Sequence, residues 1–162
     1  GLPSPGFRFF RTAWQELAPK GMLRLLLAEH EHEGRTRLVA GSIFLTGGRT
    51  VTYAYNGRRL DSLALQPNYA IQWQAIHDAC RDGFRRYDIG EVPEGNASLA
   101  EFKSKWGAHA GRIYRYYYPA PRELEAGTFR SGGHPRQVVN SAWRRLPLPV
   151  TALLGDSLYR YL

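Results

Sequence analysis

Between Met22 and Tyr55 three apolar segments follow one another, separated only by turns. They are Met22 to His30, Leu38 to Leu45 and Thr50 to Tyr55, and the breaks are Glu31-His32-Glu33-Gly34-Arg35 and Thr46-Gly47-Gly48-Arg49. A parallel crossover needs a dozen or more residues, so connections this short force an antiparallel meander. The run Glu29-His30-Glu31-His32-Glu33 holds metal-ligating residue types. On a strand end, however, alternation sends its side chains to opposite faces, and a solvated hairpin is the better reading.

The rest of the chain adds helices to this sheet. Phe7, Phe10, Trp14 and Leu17 recur at helical spacing, and Pro19 and Gly21 close that segment. Tyr69 to Phe84 reads as a second helix, started by Pro67-Asn68 and stopped by Gly83. Trp73, Ile76, Cys80 and Phe84 share one face of it. The spacing predicts that Trp73, Ile76 and Cys80 are buried and that Cys80 is an inert core thiol. Arg85 to Ile89 is a short strand. A helix between two strands makes a right-handed crossover, so this strand runs parallel to the third. Ser98 and Glu101 have capping-box spacing and predict a short helix to Trp106, ended by Gly107. A fifth strand is expected from Arg112 to Tyr118, with Tyr114, Tyr116 and Tyr118 on one face. The fold class is α/β, a mixed but mostly antiparallel sheet flanked by helices. Residues 1–118 form the domain, 119–135 an exposed connector rich in Pro, Gly, Arg and Glu, and 136–162 a helical tail packing on the domain.

Lys and Arg number 22 against 14 Asp and Glu, a net charge of +8. Anionic partners are favoured: tRNA, CoA, a nucleotide-linked substrate or an acidic membrane surface. A single cysteine, Cys80, excludes a disulfide framework and a multi-cysteine metal site and suits a reducing, cytoplasmic compartment. No apolar stretch is long enough to span a bilayer, and GLPSPGFRFF lacks the layout of a signal peptide. A start at Gly1 rather than Met suggests a piece of a longer protein.

The order helix, three antiparallel strands, helix, strand, short helix, strand resembles the GNAT fold. Trp73-Gln74-Ala75-Ile76, then Tyr87-Asp88-Ile89-Gly90, then Ser98-Leu99-Ala100-Glu101-Phe102-Lys103 with Trp106-Gly107 resemble the second domain of FemAB-like proteins. Trp143 to Pro149 and Leu154-Gly155 are similar to a subgroup associated with exopolysaccharide and protein-sorting gene clusters. The resemblance implies a GNAT-like, acyl-CoA N-acyltransferase-like domain that follows another of its kind. It implies amide formation from an aminoacyl-tRNA or acyl-CoA donor to an amine of a cell-envelope or polysaccharide precursor. The setting would be cytoplasmic, at the inner face of the membrane, where the basic tail offers peripheral contact.

The resemblance also nominates residues. Lys103 matches a Phe-Lys pair thought to contact an aminoacyl ester, and a cation there stabilises charge that builds on the carbonyl oxygen in the transition state. A solvent-facing helix lysine, as expected for Lys105, is the competing reading. Asp88, ending its strand, is a candidate to take or orient a proton; binding the N–H groups of the Gly90 loop is the alternative. Phe102 and Trp106 are read as core residues that fix Lys103. Tyr55, Arg58 and Arg59, and with them Phe102 and Trp106, are candidates for substrate binding. GNAT enzymes that bind acetyl-CoA place a glycine-rich loop between a strand and the next helix, whereas Asn56 to Asn68 holds one glycine. Arg58 and Arg59 could meet a phosphate there as point charges, although solvated loop arginines account for them as well. Arg112, Arg115 and the tyrosines from Tyr114 to Tyr118 could stack on tRNA bases or simply pack a strand. The rival to an enzyme is a non-catalytic GNAT-like module binding tRNA or a glycan precursor.

Overall fold

The computed structural model describes residues 5–114. Helix α1 spans Phe7–Leu17. The meander follows as β1 (Leu23–His32), β2 (Arg35–Gly47) and β3 (Thr50–Arg58). A 3-10 helix, Leu60–Leu65, leads into α2 (Pro67–Arg81). Then come β4 (Arg86–Asp88) and α3 (Ala97–Ser104). Thr12–Glu91 forms one compact unit, and the described part of the other comprises residues 5–11 and 92–114.

The sheet has the order β1-β2-β3-β4, with β1/β2 and β2/β3 antiparallel and β3/β4 parallel, as the connection lengths require. The strands run further than their apolar centres. β1 continues through His32, and the chain reverses at Glu33 and Gly34, both with positive φ, the backbone a tight hairpin demands. Two bulges re-aim side chains. Ala28 pairs with Ala40 but Glu29 with Leu38, which leaves the buried Val39 as the extra residue. Phe44 pairs with Tyr53 but Ile43 with Tyr55, which leaves Ala54 extra and puts Tyr55 out of step with Tyr53.

Ile71, Ala75 and Ala79 of α2 pack with Ala40, Phe44 and Val51 of the sheet, and Leu26, Ala28, Tyr53, Phe84 and Tyr87 close around them. The expected face of this helix is therefore corrected. Trp73 is 65% exposed, Ile76 is half-buried and Cys80 is exposed, not a core thiol. Trp73 lies roughly 200° around the helix from Ala75. The helix lays its small residues on the sheet, because Ala75 and Ala79 let the backbone approach Phe44 closely where a Trp side chain would hold it away. Asp78, buried with them, anchors the helix to β1: it accepts from Arg24 Nη1 at 3.3 Å and from Gln74 Nε2 at 2.9 Å. Arg24 Nη2 also reaches Asp82 at 2.7 Å.

In α3 the cap is Asn96 rather than the expected box. Its Oδ1 accepts the Leu99 N–H at 3.2 Å and the Ser98 hydroxyl at 3.1 Å. Asparagine caps as well as serine, and it stands two residues earlier, so the helix starts there. Glu101 pairs instead with Lys105, at 3.0 Å.

The expected fifth strand is not seen in its described part: residues 112–114 have no regular structure, and Tyr114 is exposed. The remainder of that strand, the connector and the tail lie outside the described residues. No helix among the described residues is long and apolar enough to cross a membrane.

Candidate functional site

β4 is only three residues long. It pairs with β3 from Thr50↔Arg86 to Thr52↔Asp88, and then the two strands part. β3 continues six residues further to Arg58, while the chain leaves β4 through Gly90, at φ 82°. Beyond Thr52 the described residues pair β3 on its β2 side only. The carboxyl ends of parallel strands, where a sheet opens, are where α/β folds take ligands.

Two phenols stand at this opening. Tyr53 is the first β3 residue past the paired segment, and Tyr87 precedes Asp88 on β4. Phe44 lies beneath both, with ring centroids 5.5 Å from Tyr53 and 6.4 Å from Tyr87. Tyr87 Oη donates to Gln72 Oε1 at 2.6 Å, and Gln72 has no solvent exposure. The Tyr53 hydroxyl faces Gln72 and the buried Ser42. Burial raises both phenols above their ordinary range. At Tyr87 the proximity of Tyr53 adds to this, whereas at Tyr53 the polar contacts to Ser42 and Gln72 and the charge of Arg58 oppose it. Both therefore stay protonated at neutral pH and act as hydroxyl groups.

Asp88 is exposed, and its Oδ1 accepts the Gly90 N–H at 2.8 Å, the local role that competed with a catalytic one. Tyr55 is half-buried opposite Ile43. Arg58 ends β3 opposite Ala40 and is exposed. Arg59 grips Asp61 with two contacts, 3.2 Å from Nε and 3.1 Å from Nη2. Arg37 of β2 holds the same carboxylate at 3.2 Å and reaches Ser62 Oγ at 3.0 Å. Asp61 is held down at about 2, chiefly by the hydrogen bonds from Arg59 and Ser62. The loop thus gathers arginines around one acid. It forms no glycine cradle: α2 begins at Pro67, which has no N–H, and the Tyr69 N–H is spent on Gln66 O at 2.9 Å.

Phe102 of α3 and Trp106, in the turn that follows it, meet edge to face at 6.5 Å and are both half-buried. Lys103 between them is 8% exposed, more buried than either supposed core residue, while the Lys105 side chain is 55% exposed. The competing reading of Lys103 as a solvated lysine is thereby corrected; it holds for Lys105 alone.

Arg37, Asp61, Ser42, Gln72, Tyr53 and Tyr87 were not among the candidates read from sequence. Asp61, two residues after Arg59, was a visible signal. Gln72 was not, because it belongs to a helix stripe that becomes recognisable only against the sheet. Among the described residues no group of three or more His, Cys, Asp or Glu side chains could hold a metal ion.

A model of the acetyltransferase (GNAT) domain matches residues 2–104, well over half of the chain and the whole of the described sheet. No curated protein and no solved structure matches significantly. The meander with a parallel fourth strand, the parting of β3 and β4, and this match together place the chain in the GNAT acetyltransferase family.

Proposed function

We propose that this GNAT domain is the C-terminal half of a FemAB-like transferase, forming an amide by passing an acyl or aminoacyl group to an amine of a cell-envelope or polysaccharide precursor. The observation that carries the reading is the burial of Lys103, set against the exposure of Lys105 two residues on. A lysine is seldom buried unless its charge is paired, and a paired ammonium is held in one place rather than free in solvent. In the reaction the amine nitrogen attacks the donor carbonyl, its C–N bond forms, and the C–O bond of an ester or the C–S bond of a thioester breaks. Negative charge gathers on the carbonyl oxygen in the transition state, and the ammonium of Lys103 offsets it there. Phe102 and Trp106 hold α3 so that Lys103 stays aimed. Asp88 receives the amine proton or orients the amine. Arg58 and Arg59, with Tyr55, bind the donor. The single-glycine loop and the proline start of α2 favour an aminoacyl-tRNA donor over acyl-CoA, because no backbone cradle awaits a pyrophosphate. The reaction would run on the cytoplasmic side of the membrane.

The test is kinetic, in the full-length protein. Lys103→Ala should lower kcat/KM by about 2–4 kcal/mol of transition-state stabilisation without a matching loss of Tm, with Lys105→Ala close to wild type. Lys103→Arg should restore only part, since a planar fork does not place charge where an ammonium does. Equal, negligible effects at both lysines would sink the catalytic assignment in favour of the non-catalytic module.

A further inference from the structure

Strand pairing sorts the charges at the far end of the β1–β2 hairpin. His30 pairs with Arg37 and His32 with Arg35, and paired residues share a face. The two imidazoles stack, with centroids 6.0 Å apart and planes 18° apart, which confirms that both lie on that face. Glu29 and Glu31 alternate with them and so fall on the other face. Ala28 pairs with Ala40, and Ala40 pairs with Arg58, so Arg58 belongs to the His30 face too. Arg59 is drawn to it through the carboxylate it shares with Arg37. The acids beside these groups are Asp61, between Arg37 and Arg59, and Glu33, 3.8 Å from His32. Four arginines against two acids leave the patch basic even with neutral histidines. The side chains reach solvent: Arg37 is 49%, Arg59 53% and His32 76% exposed.

We propose that this face docks a single strand of nucleic acid. Arg35, Arg37, Arg58 and Arg59 meet successive phosphates, and the stacked pair His30 and His32 offers a flat ring to an unpaired base. Charge alone would suit any polyanion. The stacked rings, set among guanidinium groups that themselves stack on bases, favour a chain that carries both phosphates and aromatic faces. Asp61, shared by two guanidinium groups, occupies the place a phosphate would take and competes with it. The face includes Arg58 and Arg59 of the proposed donor site and rests on that reading for its nucleic-acid donor. Binding is read without turnover, so loss of RNA binding with Lys103→Ala still impaired in turnover would overturn this face and leave acyl transfer standing.

The experiment is fluorescence anisotropy of the full chain with a short labelled single-stranded RNA across a salt series. Saturable binding is expected, weakening as salt rises with a log–log slope of about −0.7 for each phosphate neutralised. Arg35→Gln with Arg58→Gln should weaken binding about tenfold and flatten the slope. His30→Ala with His32→Ala should weaken it without changing the slope, and Asp61→Asn should tighten it. Circular dichroism confirms that each variant is folded. No saturable RNA binding, or variants indistinguishable from wild type, would overturn the proposal. So would inorganic polyphosphate, polygalacturonate or phosphatidylglycerol vesicles bound as tightly as RNA.

Discussion

Tyr87 donates a 2.6 Å hydrogen bond to Oε1 of Gln72, an amide wholly enclosed between α2 and the sheet. Fifteen residues separate the two in sequence, and the bond ties the helix to the strand that opens the site. Tyr87→Phe removes the donor and leaves a buried acceptor unpaired, so it should cost about 1–3 kcal/mol of stability. Gln72→Leu in the Tyr87→Phe background should recover part of that loss. Chemical denaturation of the single and double variants measures the coupling.

The ion pairs of α2 are unequal. Asp78 has a side chain 10% exposed and accepts from Arg24 and Gln74, whereas Asp82 is 28% exposed. Asp78→Ala would take the acceptor from Gln74 and from one nitrogen of Arg24, which keeps Asp82, and open a gap under α2, and should cost about 1–3 kcal/mol. Asp82→Ala should cost less than Asp78→Ala, as the more exposed of two pairs usually does. The two melting temperatures decide it.

Acid should weaken the arginine cluster. The Asp61 carboxyl is lowered from 3.8 to about 2 in the fold. A depressed pKa means the stabilisation is fully present above the unfolded value and is lost as pH falls through the folded one. The loss should therefore fall between pH 3.8 and about 2, with nothing changing near neutrality. Asp82, lowered chiefly by Arg24 and then by Arg81, adds in the same sense. Carbon-13 titration of the Asp61 carboxyl tests the value. In Asp61→Asn the Tm should fall less steeply over that range.

Capping of α3 rests on Asn96. Asn96→Ala should destabilise the helix by about 0.5–2 kcal/mol, while Ser98→Ala, which removes only a hydroxyl donating to Asn96, should cost much less. Amide hydrogen exchange at Leu99 and Ala100 reads the difference directly. Equal protection in both variants would return the cap to Ser98.

The meander was legible in the chain because turn-length connections between apolar segments permit only antiparallel neighbours. The parallel fourth strand was legible because a helix intervenes. Both follow from chain length and handedness, which are local facts. The packed face of α2 was not legible. Two stripes run along that helix, one through Trp73, Ile76 and Cys80 and one through Ile71, Ala75 and Ala79. Hydrophobicity favours the first, while close packing on Phe44 selects the second. The candidate site divides in the same way. Lys103, Arg58 and Arg59 could be nominated from their positions, but only tertiary structure buried Lys103 and left Lys105 in water. Only pairing across strands set His30 beside Arg37, and only folding brought Arg37 to the carboxylate of Asp61. Sequence determines what each segment forms on its own; which of its faces meets another depends on shape and charge contributed by residues far along the chain.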